Sequence, residues 1–202
     1  MTLLRVVAFL AYPLLVFATL RWESPRRIAG ILLALLVARM LLLSSQRSLA
    51  YIRVVSWPVF AFLCAIAIAA IWNTPLSLLL APALGSVALL VTFARSLSGT
   101  RESVVEGFAR AQLGELGEAE IRYCRRVTAV WCAFFLCNAL VTAILAFRGA
   151  LELWTLHTGL IAYIGMGTLI GVEYCYRQWR FRRYLGAPTD PLFRFLFPPR
   201  PG

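Results

Sequence analysis

Apolar residues gather along this chain in six blocks, at about 3–20, 27–44, 54–72, 76–94, 127–147 and 153–174. Each block approaches the ~20 residues with which an α-helix crosses the hydrocarbon core of a bilayer. The pattern predicts an all-α integral membrane protein with about six transmembrane helices. The second block is the shortest and contains Arg39. The third and fourth are joined only by Asn73-Thr74-Pro75, which reads as a tight turn. Pro13, Pro58 and Pro82 fall inside blocks and predict kinks, with neighbouring helices covering the freed carbonyls.

Between the fourth and fifth blocks the pattern changes. The stretch RSLSGTRESVVEGFAR, residues 95–110, carries Arg95, Arg101, Glu102, Glu106 and Arg110. It predicts a helix from about Arg101 to Leu113 with Thr100 as N-cap. Ser103 and Glu106 also match a Ser-x-x-Glu capping box, which would start the helix three residues later. On this helix Val104, Val105, Phe108, Ala109 and Ala111 share one broad face, and Glu102, Glu106 and Arg110 share another. The expectation is a cytoplasmic amphipathic helix, within a loop of about 30 residues, lying on the membrane surface. Further on, Glu118 and Arg122 are spaced for an i,i+4 ion pair, and Arg125 and Arg126 are placed to snorkel to lipid phosphates. Two carboxylates four residues apart also suit acid–base or metal chemistry. A di-metal carboxylate site usually adds Glu-x-x-His units, and this region has no His. A solvated or docking face is therefore the preferred reading. It makes Arg95, Arg101, Glu102, Glu106, Arg110, Arg122, Arg125 and Arg126 the partner-contact candidates.

Charge sets the expected topology. The 202 residues are 61% hydrophobic with a formal net charge of +11, and the basic side chains are all Arg. With the N-terminus cytoplasmic, Arg5, Arg47, Arg53, the Arg residues of 95–126 and those of 177–200 fall on the inner side. Only Arg21, Arg26, Arg27 and Arg148 fall outside. Positively charged loops stay on the cytoplasmic side, so both termini are expected there. Trp22, Trp72 and Trp154 fall at predicted outer ends, and Trp57, Trp131, Tyr174, Tyr176 and Trp179 at or near inner ends, as two interfacial belts. The first apolar block resembles a signal peptide but runs on into further spans, so an uncleaved first helix is expected. The chain divides into a four-helix membrane region (1–94), an amphipathic loop (95–126), a two-helix membrane region (127–176) and a basic-aromatic tail (177–202). The tail suits a segment lying on anionic headgroups, and beside a membrane span its composition is not a nucleic-acid signal.

Polar residues inside the spans are the remaining candidates. Arg39 and Glu173 lie at matched depth near the inner ends of the second and sixth spans and predict an intramembrane ion pair. Asn138, near the middle of the fifth span, predicts a hydrogen bond between helices. His157, with no acid at its depth, reads as a hydrogen-bonded packing residue. Gly167-x-x-x-Gly171 predicts close helix packing. The cysteines show no CxxC pair, so neither a zinc site nor a disulfide framework is expected. P-loop, Gly-x-Ser-x-Gly, His-Glu-x-x-His and His-x4-Asp patterns are missing from the sequence. No cofactor or metal is expected, and the balance leans away from an enzyme.

The pieces RES.VE.FAR and Y.RRVT..WC.FF..NA, within residues 95–139, carry a family resemblance. Together they resemble the small polytopic inner-membrane proteins encoded in aryl-polyene and xanthomonadin-type pigment gene clusters of Gram-negative bacteria. The resemblance implies a setting of acyl carrier proteins and fatty-acid-like synthesis at the inner membrane, without assigning catalytic residues. Acyl carrier proteins are acidic, and an Arg-rich face would steer them. The expected function is an accessory membrane protein that docks this machinery. One competing class is a membrane enzyme or carrier handling an acyl or polyene lipid, which predicts a cavity reaching Arg39, Glu173 or Asn138. Another is a small-molecule transporter.

Overall fold

A computed structural model describes residues 75–99, 101–183 and 190–198. All regular structure among them is helical. Helix α1 spans Pro75–Leu97, α2 Val104–Leu113 and α3 Glu118–Phe147. Helix α4, Leu151–Leu156, passes through a π-helical turn, His157–Ile161, into α5, Ala162–Phe181; α6 is Asp190–Leu196. Three rods, Pro75–Leu97, Glu118–Phe147 and Leu151–Phe181, are long and apolar enough to cross a membrane. They contain the fourth, fifth and sixth apolar blocks. The first three blocks lie outside the described residues, and with them Arg39, Pro13, Pro58, Trp22, Trp57 and Trp72.

Sequence explains where the rods begin and end. Pro75 is the first residue of α1, where its fixed φ suits the helix and its missing N–H costs nothing. Pro82 removes one rung of the backbone ladder further in. Close to that gap, the Leu79 carbonyl accepts the Trp154 indole N–H at 3.0 Å. Trp154, in the first turn of its rod, is fully buried: its N–H finds a partner in α1, so the ring packs inward. Helix α3 ends in a Schellman motif, with Gly149 N–H bonded to the Ala146 carbonyl and Ala150 N–H to that of Leu145, both at 3.2 Å. Gly149 has φ +64°, which a residue without Cβ adopts freely. The chain reverses there within a few residues.

Helices α1 and α3 form the main packed pair. Their buried residues are mostly compact: Ala81, Ala83, Ser86 and Ala88 on α1, with Thr128, Ala139, Thr142 and Ala146 on α3. Small side chains let membrane helices approach closely. Toward the α2 end, Phe93 meets Phe135 edge-on at 5.2 Å, and Trp131 and Phe134 extend the aromatic cluster. Much of the remaining surface is apolar and exposed, as at Leu140, Ile144, Ile164 and Val172. Water tolerates such continuous apolar surface poorly, whereas hydrocarbon suits it. The most apolar window of Leu151–Phe181 is only 6% buried, so this rod owes little of its environment to the helices described.

Two expectations are corrected. The loop between the fourth and fifth spans is shorter than about 30 residues, because α3 already begins at Glu118, well before the apolar block at 127. Gly167 and Gly171 do not form a packing seam among the described residues: a Cβ at either would meet nothing within 4 Å. The close approach is at Gly165, where a Cβ would lie 3.2 Å from the Phe134 ring.

Candidate functional site

Helix α2 owes its position to its first turn. Ser103 is the N-cap, with Oγ accepting the Glu106 N–H and Glu106 Oε2 accepting the Ser103 N–H, each at 3.3 Å. The later of the two expected starts is thus the one adopted, and Arg101–Ser103 are not helical. The polar stripe is corrected as well. Glu106 is 5% exposed rather than solvated, because the capping box folds its carboxylate back over the helix start. Its Oε1 accepts Arg110 Nη2–H at 2.8 Å, and Arg110 Nε lies 3.0 Å from Glu102 Oε1. The two carboxylates therefore share one guanidinium. The hydrogen bond to Glu106 holds the Arg110 pKa above its ordinary value. Helix α2 ends at Gly114, whose φ of +74° turns the chain toward α3.

Arg125 fixes the junction from the other side. Its guanidinium donates to the Leu97 carbonyl at 2.6 Å, the Arg101 carbonyl at 3.2 Å and the Gly99 carbonyl at 3.5 Å. The last carbonyls of a helix have no intrahelical donor and carry its negative dipole end, so a cation there satisfies both demands. This replaces the expected snorkelling of Arg125. Ser96 Oγ completes the joint by accepting the Val104 N–H at 3.2 Å.

These contacts enclose an open hollow of about 410 Å³, lined by Arg101, Glu102, Glu106, Arg110, Ile121 and Arg125. Five of the eight partner-contact candidates thus come together. Arg95, Arg122 and Arg126 are exposed and lie outside the hollow. Arg122 makes the expected pair with Glu118 at 3.3 Å. The side chains of Arg95, Arg101 and Arg126 make no ion pair or hydrogen bond among the described residues.

Within the membrane-length rods, Asn138 joins α1, α3 and the π-helical turn. Its Nδ2–H donates to Ser86 Oγ at 2.8 Å, and its Oδ1 lies 3.0 Å from His157 Nε2. Ser86 Oγ–H is itself committed to the Pro82 carbonyl at 3.0 Å, so its oxygen can only accept from Asn138. Asn138 must then turn its carbonyl oxygen to His157, which makes Nε2 the protonated nitrogen. Glu173 sits beside Arg177, with Oε1 3.4 Å from Nε, and accepts the Tyr123 hydroxyl at 3.3 Å. The expected partner Arg39 lies outside the described residues, and Glu173 has two partners without it. Glu173, Asn138 and His157 do not form one site. Asn138 and His157 touch, as do Glu173, Tyr123 and Arg177, in separate clusters.

Sequence reasoning did not single out Tyr123, Arg177 or Gln178. They line a partly open cavity of about 110 Å³ where the end of α2, the first turns of α3 and the last turns of α5 meet. Arg183 spans its rim, donating to Glu120 Oε2 and to the Glu115 carbonyl, both at 3.2 Å. The Glu173–Arg177 spacing at i,i+4 was the available signal; the convergence with Tyr123, fifty residues earlier, exists only in three dimensions. No protein-family model, curated protein or solved structure matches the chain.

Proposed function

We propose that this is a six-span accessory protein of the bacterial inner membrane, with both termini cytoplasmic, whose α2 end docks an acidic carrier protein. The observation that carries this reading is the hollow at the α1–α2–α3 junction. There Arg110 and Arg125 are pinned by Glu102, Glu106 and backbone carbonyls, leaving the Arg101 side chain beside them without a partner among the described residues. A rigid basic ledge loses little side-chain freedom on binding, and exposed Arg95, Arg122 and Arg126 add to its steering field. The resemblance of residues 95–139 to membrane proteins of aryl-polyene clusters supports acyl carrier protein as the partner and fatty-acid-like synthesis as the setting.

Binding of purified acyl carrier protein to the chain in nanodiscs tests this reading. Arg101→Glu combined with Arg126→Glu is expected to lower affinity at least about tenfold at low salt, with the difference shrinking as salt screens it. Arg148→Glu, beyond the far end of α3, serves as control. Equal binding by all three proteins would remove the docking role.

A further inference from the structure

The cavity of about 110 Å³ between α2, α3 and α5 holds an unusual set of spare donors. Gln178 is 7% exposed, and its side-chain amide makes no hydrogen bond among the described residues. The amide faces a partly open cavity, so it can bond to whatever enters there. Arg177 lies one residue before it. Its Nε is buried and, although 3.4 Å from Glu173, lacks a hydrogen-bond partner among the described residues. Its guanidinium carbon sits 5.6 Å from the centre of the Tyr174 ring, and neither Nη group makes a hydrogen bond among the described residues. The other walls are apolar, from Leu113, Leu116 and Phe181.

We propose that this cavity binds the carboxylate head of a membrane-dissolved long-chain carboxylic acid. The Arg177 fork and the Gln178 amide supply donors for both oxygens of a planar carboxylate, the geometry for which a guanidinium is suited. The volume equals about three to four waters, enough for the carboxylate and the first carbons of a chain but not for a glycerophospholipid headgroup. Charge is compatible with an anion. Arg183 offsets Glu120 and Arg177 offsets Glu173, while Arg180 and Arg182 add two cations on the same stretch. Position also fits. The apolar run of the last rod ends just before Arg177, which sets the cavity at the depth where a fatty acid's head lies when its tail is in the leaflet. This inference is independent of the docking reading, which rests on other residues.

The test uses the full chain in zwitterionic nanodiscs with a photoreactive palmitic acid. Saturable labelling is expected, competed by palmitate and at least about tenfold less by methyl palmitate, which lacks the charge. Crosslinks are expected in peptides covering residues 112–124 and 174–183. Arg177→Gln and Gln178→Leu are expected to weaken labelling by about tenfold and about fivefold, and Arg148→Gln, at the far end of α3, to leave it unchanged. Leu116→Trp, at a loop position, fills the cavity without removing a charge and is expected to abolish labelling even if Arg177→Gln fails to fold. Equal competition by methyl palmitate, crosslinks confined to other peptides, or labelling unaffected by Leu116→Trp would overturn the proposal. So would preferential competition by phosphatidylglycerol or inorganic phosphate, which would assign the donors to a phosphate instead.

Discussion

Arg125 Nη2 donates to the Leu97 carbonyl at 2.6 Å, joining the second turn of α3 to the last residue of α1. Two further carbonyls in the connecting turn take the same guanidinium. Arg126, its neighbour, is exposed and uncommitted among the described residues. The pair separates structure from surface charge: Arg125→Ala is expected to cost about 1–3 kcal/mol, as for removing charged hydrogen bonds from backbone acceptors. Arg126→Ala is expected to stay within about 0.5 kcal/mol of the parent. Unfolding in detergent measures both.

The capping box of α2 gives a second expectation. Ser103→Ala should cost about 1 kcal/mol, the usual value of an N-cap side chain. Glu106→Ala removes the reciprocal cap and the inner partner of Arg110 together, so its effect should exceed that of Ser103→Ala. Amide exchange within Val104–Leu113 should accelerate in both, while α3 beyond Trp131 stays protected.

Asn138 holds two neighbours, so Asn138→Leu should cost more than either single loss. Hydrogen bonds between membrane helices average about 0.6 kcal/mol, which places Ser86→Ala near that value and Asn138→Leu at about 1–2 kcal/mol. The bonding order also specifies the imidazole. Nitrogen NMR of labelled His157 should show a protonated Nε2 and a bare Nδ1 in the neutral ring; the opposite tautomer would mean that the Asn138 amide is reversed.

Thr142 is fully buried, and its hydroxyl has no hydrogen-bond partner among the described residues. Thr142→Val removes that unpaired group at nearly constant shape. It should be neutral or stabilising by up to about 1–3 kcal/mol, against the usual direction for a buried substitution. A lower thermal midpoint would show that the hydroxyl is satisfied.

What the sequence revealed depended on how local the cause was. The spans at 76–94, 127–147 and 153–174 follow from hydrophobic length alone, and each lies within a rod. The Ser103–Glu106 box and the Glu118–Arg122 pair are set by spacing on one helix and were equally readable. Arg125 was misread because its acceptors lie 24–28 residues away, on a helix end whose position depends on packing. Glu106 was misread because its place on the polar stripe was taken to mean solvation, although the capping box, readable from the same residues, already folds its carboxylate back onto the helix start. The Arg177–Gln178–Tyr123 cavity could not be read, since it needs three segments brought together. Gly167 and Gly171 show the reverse error, a motif spacing with no neighbour among the described residues to justify it.

The π-helical turn at His157–Ile161 acts as a phase adjuster in the last rod. Its Ala162 N–H bonds to the His157 carbonyl five residues back, which places one extra residue in the winding. Above the turn, Trp154 is keyed to Leu79; below it, Glu173 is keyed to Tyr123. Wound regularly, the same residues would instead rotate everything downstream by about 100° relative to Trp154. The rod could then engage α1 or α3, but not both in their present alignment. A short stretch with no charged side chain thereby sets the azimuth of Arg177 and Gln178, some twenty residues away: a single-residue deletion within it should leave the distant end in phase, whereas one in the regular winding between 162 and 172 should behave as an orientation mutant.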